Sequence, residues 1–155
     1  MSDANARRVL ALERIAVGVI FLFFAEYKIV GSEFVHGGFQ KYIGTYVDQH
    51  QVVNLLRPTL TRIVLPHPFL WARVVAWSEL LIGVSLVLGW WVRLSSLGGA
   101  IYMLALTLST WYAPGHGAPP WRYLGNNLDH IPLLMLFLIF LTFDAGRTWG
   151  LDKLT

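Results

Sequence analysis

Polar positions are sparse in four stretches of this chain and dense between them. The apolar stretches run from Val9 to Val30, Leu70 to Gly89, Leu94 to Tyr112 and Tyr123 to Phe143. A helix rising 1.5 Å per residue needs about 20 residues to cross a hydrocarbon core of about 30 Å. Each stretch comes close to that length. The pattern therefore predicts an all-α integral membrane four-helix bundle, one domain over residues 1–155.

The connection 31–69 is polar but patterned. Phe39, Tyr42, Ile43, Tyr46 and Val47 fall at spacings of 3, 1, 3 and 1, one apolar stripe of a short helix lying on or beside the membrane. Val52 to Leu65 predicts a second short amphipathic piece, interrupted by Pro58 and stopped by Pro66 and Pro68. The tight turn from Gly89 to Arg93 makes the second and third stretches an antiparallel hairpin. A Pro- and Gly-rich loop, Ala113 to Arg122, joins the third to the fourth.

Begun at Asp129, the fourth helix would hold about 15 residues and reach only about 22 Å. Its expected start is therefore nearer Tyr123, placing Asn126, Asn127, Asp129 and His130 in the outer part of the bilayer with a kink at Pro132. The alternative is a short tilted helix capped by Asn127 or Asp129, with Pro132 in its first turn.

Small residues mark helix contact faces in lipid, where the hydrophobic effect does not drive helices together. Ala72, Ala76, Glu79 and Gly83 form such a stripe in the second stretch. Gly98, Tyr102, Ala105, Ser109 and Tyr112 form one in the third. Packing alone accounts for the Ala and Gly positions.

Composition agrees with a membrane protein: 55% of residues are hydrophobic and 14% charged. The net charge of +3 does not point to nucleic acid, because the basic residues form no cluster beyond Arg7-Arg8. The absence of cysteine removes thiol chemistry, iron–sulfur clusters and thiolate metal sites from the expectation. His36, His50, His67 and His116 are scattered without ligand spacing, and the spans offer only His130, so neither a metal site nor haem is expected. The first stretch has no small-x-small cleavage site, so it predicts a span rather than a cleaved signal peptide.

Orientation follows from the basic flanks. Arg7, Arg8, Arg14, Arg93, Arg147 and Lys153 fall on one side. Lys28, Lys41, Arg57, Arg62, Arg73 and Arg122 fall on the other, spread over a longer loop. Short, charge-dense flanks stay inside. Both termini are expected in the cytoplasm and the connection 31–69 outside.

With that topology, ionisable groups collect at one depth. Glu26 and Lys28 close the first span, Arg73 opens the second and Glu79 lies near the midplane. An ionised residue at a helix centre costs about 2.5–3.5 kcal/mol on insertion scales. Glu79 should therefore face a partner in the bundle, with His130 or Arg73 the expected neighbours. Glu26 and Lys28 are equally explained by snorkelling to the interface. His130, beside Asp129 and Asn127, is either a proton site near neutral pH or a satisfied histidine at a helix start. Most tryptophans fit an interfacial belt, and Trp77, well inside its span, is the candidate for stacking on a ring.

These residues also carry a resemblance. Arg14, Gly18 and Lys28 sit in the first span, ELLIGVSLVLGWWVR runs from Glu79 to Arg93, and Asn126-Asn127 precede the last span. The tail reads DAGRTWGLD from Asp144 to Asp152. Over nearly its whole length the chain resembles the DoxX family of four-span bacterial membrane proteins, including the DoxD-type small membrane subunit of thiosulfate:quinone oxidoreductase. The resemblance implies a subunit of a redox or respiratory-type complex in the bacterial inner membrane, presenting a quinone site and needing other membrane protein subunits.

On that basis the expected ligand or proton site comprises Glu79, His130, Asp129, Asn127, Arg73, Trp77, Tyr102, Glu26 and Lys28. A quinone head needs proton donors at its carbonyls and an apolar slot for its ring. Two other functions compete. A non-catalytic accessory subunit would use the amphipathic connection for docking. A carrier of a small lipid-like ligand would favour a slot without titrating residues, which Glu79 argues against.

Overall fold

The computed structural model describes residues 2–111 and 128–153. Tyr112, the Pro- and Gly-rich connection, Asn126 and Asn127 lie outside the described residues. Every regular element among those described is helical. The first helix, α1 (Asp3–Val30), has 28 residues, about 42 Å at the helical rise. It starts well before the apolar stretch, because the polar lead holds no helix breaker and places Asp3 in the first turn, where a carboxylate suits the helix dipole.

A π-helical turn (Phe34–Gly38) leads into α2 (Phe39–Asp48). A short α3 (Arg57–Thr59) continues into one further turn, Leu60–Val64. Then come α4 (Pro68–Leu88), α5 (Val92–Ser109) and α6 (His130–Thr142). Single 3-10 turns at Ala145–Arg147 and Leu151–Lys153 end the described chain. Pro58 does not interrupt a helix. It lies in the first turn of α3, where its missing N–H breaks no bond.

Among the described residues two helices, α4 and α5, are long and apolar enough to cross a membrane. In α1 the apolar run is broken by Glu13, Arg14, Glu26 and Lys28. With 13 residues, α6 reaches only about 20 Å. It begins at His130 rather than near Tyr123, because Leu128 and Asp129 form a turn. Asp129 Oδ1 accepts the backbone N–H of His130 at 3.0 Å, and Pro132 falls in the first turn, where no intrahelical donor is needed. The capped alternative holds here.

The outward faces of the helices are apolar. On α4 the buried residues are Ala72, Ala76, Glu79, Ile82, Gly83, Ser85 and Leu86, whereas Leu70, Val74, Trp77, Leu81 and Val84 are exposed. The outer faces of α1 and α5 likewise expose Val19, Ile20 and Phe23, and Leu94, Leu97, Ile101 and Leu104. Large apolar side chains on the outer faces suit a solvent that is itself apolar. The interior combines small and polar residues with large apolar ones such as Phe21, Leu86, Phe137 and Phe140.

The helices pair as α1 with α4 and α5 with α6, with lesser contact between α4 and α5. Glycine makes the first pairing close. A Cβ on Gly18 would lie 2.9 Å from Val87 Cγ2, and one on Gly83 would lie 2.9 Å from Leu22 Cδ2. The expected stripe on α4 is buried throughout. On α5 the buried face is instead Val92, Ser96, Gly99, Ala100, Met103, Thr107 and Ser109, while Gly98 is exposed. The main partner of α5 is α6, and Phe137 packs where a Cβ on Gly99 would stand. That contact rotates Tyr102 to the edge of the face, towards α4.

The connection 31–69 packs as a layer over one end of the bundle. Phe39, Ile43 and Val47 from α2 join Val52, Leu60, Val64 and Ala72 in a second apolar core. Val53 N–H donates to Leu108 O at 3.1 Å, tying that layer to α5. At the other end the tail closes the α4–α5 hairpin. The Asp152 carboxylate accepts the N–H groups of Trp91 (2.7 Å) and Val92 (3.0 Å), capping α5, while Asp152 N–H donates to Gly89 O at 2.8 Å. Arg14 is fully buried beside it, its Nη2 donating to Trp149 O at 3.2 Å. Gly89, left-handed at φ 64°, ends α4, and a side chain there or at Gly150 would collide with the Arg14 guanidinium.

Candidate ligand cavity

Beneath α2 a cavity of about 420 Å³ opens between α1, α4, α5 and α6. Its walls are mainly apolar: Phe21 and Phe24 from α1, Phe34 and Ile43 from the covering layer, Val75 from α4, Met103 and Leu106 from α5, and Leu133 from α6. Polar side chains enter at few points, as in pockets that orient a small molecule.

Glu79 is the centre of the polar wall. It lies midway along α4 and is 4% exposed. Its Oε1 is ion-paired with Lys28 Nζ and accepts the Tyr102 hydroxyl at 2.6 Å. Lys28 sits in the last turn of α1 with its side chain 13% exposed, so it turns inward instead of snorkelling out. Its ammonium also lies 4.9 Å from the centre of the Phe34 ring, a cation–π contact from the covering layer. The expected partners of Glu79 were His130 or Arg73; the partner observed is Lys28.

Glu79 Oε2 is buried without a hydrogen-bond partner. Leaving a buried polar atom unpaired costs about 1–3 kcal/mol. Oε1, by contrast, already accepts two donors.

His130 and Asp129 reach the same cavity from the start of α6, with His130 Nε2 3.5 Å from Asp129 Oδ2. Tyr42 lines it from α2, edge-to-face with Tyr46 at 5.1 Å. Burial, then the neighbouring Tyr46 and the charge of Asp129, push the Tyr42 hydroxyl pKa up, so it stays a neutral donor.

Of the residues singled out from sequence, Glu79, Lys28, Tyr102, His130 and Asp129 line this one cavity. Asn127 lies outside the described residues. Glu26 is exposed and does not line the cavity. Arg73 and Trp77 point elsewhere, because at about 100° per residue they stand about 240° and about 200° around α4 from Glu79. Arg73 lies over the Phe69 ring at 4.2 Å, and Trp77 is 54% exposed on the outer face. Sequence reasoning missed the contribution of the covering layer, Phe34 and Tyr42. The stripe on α2 was visible, but nothing local says which helix ends it covers.

A helical protein with apolar outer faces, two helices long and apolar enough to cross a membrane among the described residues and a buried carboxylate–ammonium pair on a ligand-sized cavity belongs among membrane proteins. The chain is a member of the DoxX family, whose model matches residues 9–111, from α1 through the end of α5. Neither the curated proteins nor the solved structures compared with it include a match.

Proposed function

We propose that this protein is the membrane subunit of a quinone-linked oxidoreductase or respiratory-type complex, with the cavity as its quinone and proton site. In this reading α1, α4, α5 and α6 form a four-span bundle in a bacterial inner membrane, both termini are cytoplasmic, and the cavity lies towards the outer face. The observation that carries it is Glu79, ion-paired with Lys28 and hydrogen-bonded to Tyr102 on the wall of an apolar slot. Membership of the DoxX family supports it.

The residues present fit a quinone ring. Phe21, Phe24, Met103 and Leu133 offer apolar faces, and Lys28 and His130 offer donors. A bound quinone supplies two-electron, two-proton chemistry, with the electrons coming from or going to a partner subunit. Lys28 and Tyr102 hold Glu79 in place through Oε1, and in this reading Oε2 is the atom that exchanges a proton with the ligand. His130 with Asp129 provides a second proton-exchanging group on the same cavity.

Glu79→Gln keeps the volume and an amide oxygen that can accept from Tyr102 and Lys28, but it gives up the ion pair and the oxygen proposed to exchange a proton. Proton-coupled turnover of the assembled complex should fall by about 100-fold, the scale of a lost acid–base group, with assembly intact. Full turnover would remove the proton role. Loss of assembly in Glu79→Gln and Glu79→Leu alike would favour a structural accessory subunit.

A further inference from the structure

A second cleft, of about 360 Å³, lies on the outside of the same helix pair. It is lined by Lys28, Ser32, His36 and Arg73, with Ile29, Val35, Ala76 and Trp77 forming its apolar side. Among the described residues no carboxylate lines it. Arg73 is exposed, and its guanidinium lies over the Phe69 ring at 4.2 Å, a cation–π contact that uses none of its N–H donors on an acceptor. His36 Nδ1 lies 2.9 Å from the carbonyl of Ser32. A carbonyl only accepts, so Nδ1 donates there and Nε2 is the nitrogen left for another partner.

We propose that this cleft binds a tetrahedral oxoanion, held by the Arg73 guanidinium and the Ser32 hydroxyl with His36 and Lys28 at its sides. Two sources share that chemistry, the phosphate of an anionic phospholipid and a free oxoanion. The apolar wall of Ile29, Val35 and Trp77 suits a lipid chain running from the cleft along the exposed face of α4, where Val74 and Leu81 continue it. Lys28 walls both this cleft and the inner cavity.

The test uses the full chain purified in mild detergent. Native mass spectrometry would follow retention of phosphatidylglycerol against phosphatidylcholine, and thermal unfolding would be followed with inorganic phosphate against chloride at equal ionic strength. Selective retention of phosphatidylglycerol alone supports the site with a lipid source. Stabilisation by phosphate supports it with a free anion. In either case Arg73→Gln should weaken the effect about fivefold, the scale of one basic residue at a membrane surface, whereas Arg62→Gln should leave it unchanged. No selectivity in either arm, or equal loss in both variants, overturns the proposal. Neither arm involves a quinone, so the result is independent of the function proposed for the inner cavity.

Discussion

Replacing Lys28 with methionine is expected to destabilise the protein by about 3–5 kcal/mol, because it strands the Glu79 carboxylate in an apolar wall. Both side chains are largely buried, at 13% and 5% exposed, so water cannot take over the role of the ammonium. The distinctive result lies in the double variant. Lys28→Met combined with Glu79→Leu removes both charges and should recover most of the loss, since a buried pair exchanged for apolar residues is often neutral. Chemical unfolding in detergent micelles measures all three differences. A single variant as stable as the wild type would show that Glu79 is not held by this pair.

Loss of the tail contact should come next in size. Asp152→Ala removes the acceptor for two N–H groups at the start of α5 and the carboxylate that acts on buried Arg14. Caps are worth about 0.5–2 kcal/mol, and an unpaired buried charge costs more. We expect a loss of about 2–4 kcal/mol, together with faster proteolysis of the segment beyond Phe143. Asp152→Asn, which keeps one acceptor oxygen, should lie in between. Unchanged stability and protease resistance in Asp152→Ala would show that the tail does not hold the hairpin.

The sequence makes Glu79 legible because a carboxylate in the middle of an apolar run is costly wherever the helix sits. Its partner was not legible in the same way. Lys28 at a helix end has the generic option of snorkelling, and only the close crossing of α1 on α4, through Gly18 and Gly83, brings its ammonium to Glu79. Depth along the membrane grouped Arg73 and Trp77 with Glu79. Helical angle separates them, and the 3.6-residue period already carried that information.

The small-residue stripe succeeds on α4 and fails by about one position on α5, where Gly98 looked equivalent to Gly99. Which of two adjacent glycines faces inward depends on Phe137, a residue 38 positions later in the chain. The tail was recognisable as a motif, yet its role as the cap of α5 joins residues 60 apart and leaves no local signal. For α6 the length argument favoured an early start. Local chemistry prevailed, because Asp129 caps and Pro132 fits a first turn.

The most direct test of the cavity as a quinone site is saturable binding of a short-tailed quinone to the purified protein in nanodiscs, compared between wild type and Met103→Trp. Met103 is buried on α5 at the cavity wall, and the larger indole takes up part of its 420 Å³. Wild type is expected to bind one quinone saturably, and Met103→Trp is expected to lose that binding while its unfolding temperature stays near that of the wild type. Absence of saturable binding in the wild type, or equal binding by a well-folded Met103→Trp, would contradict the assignment.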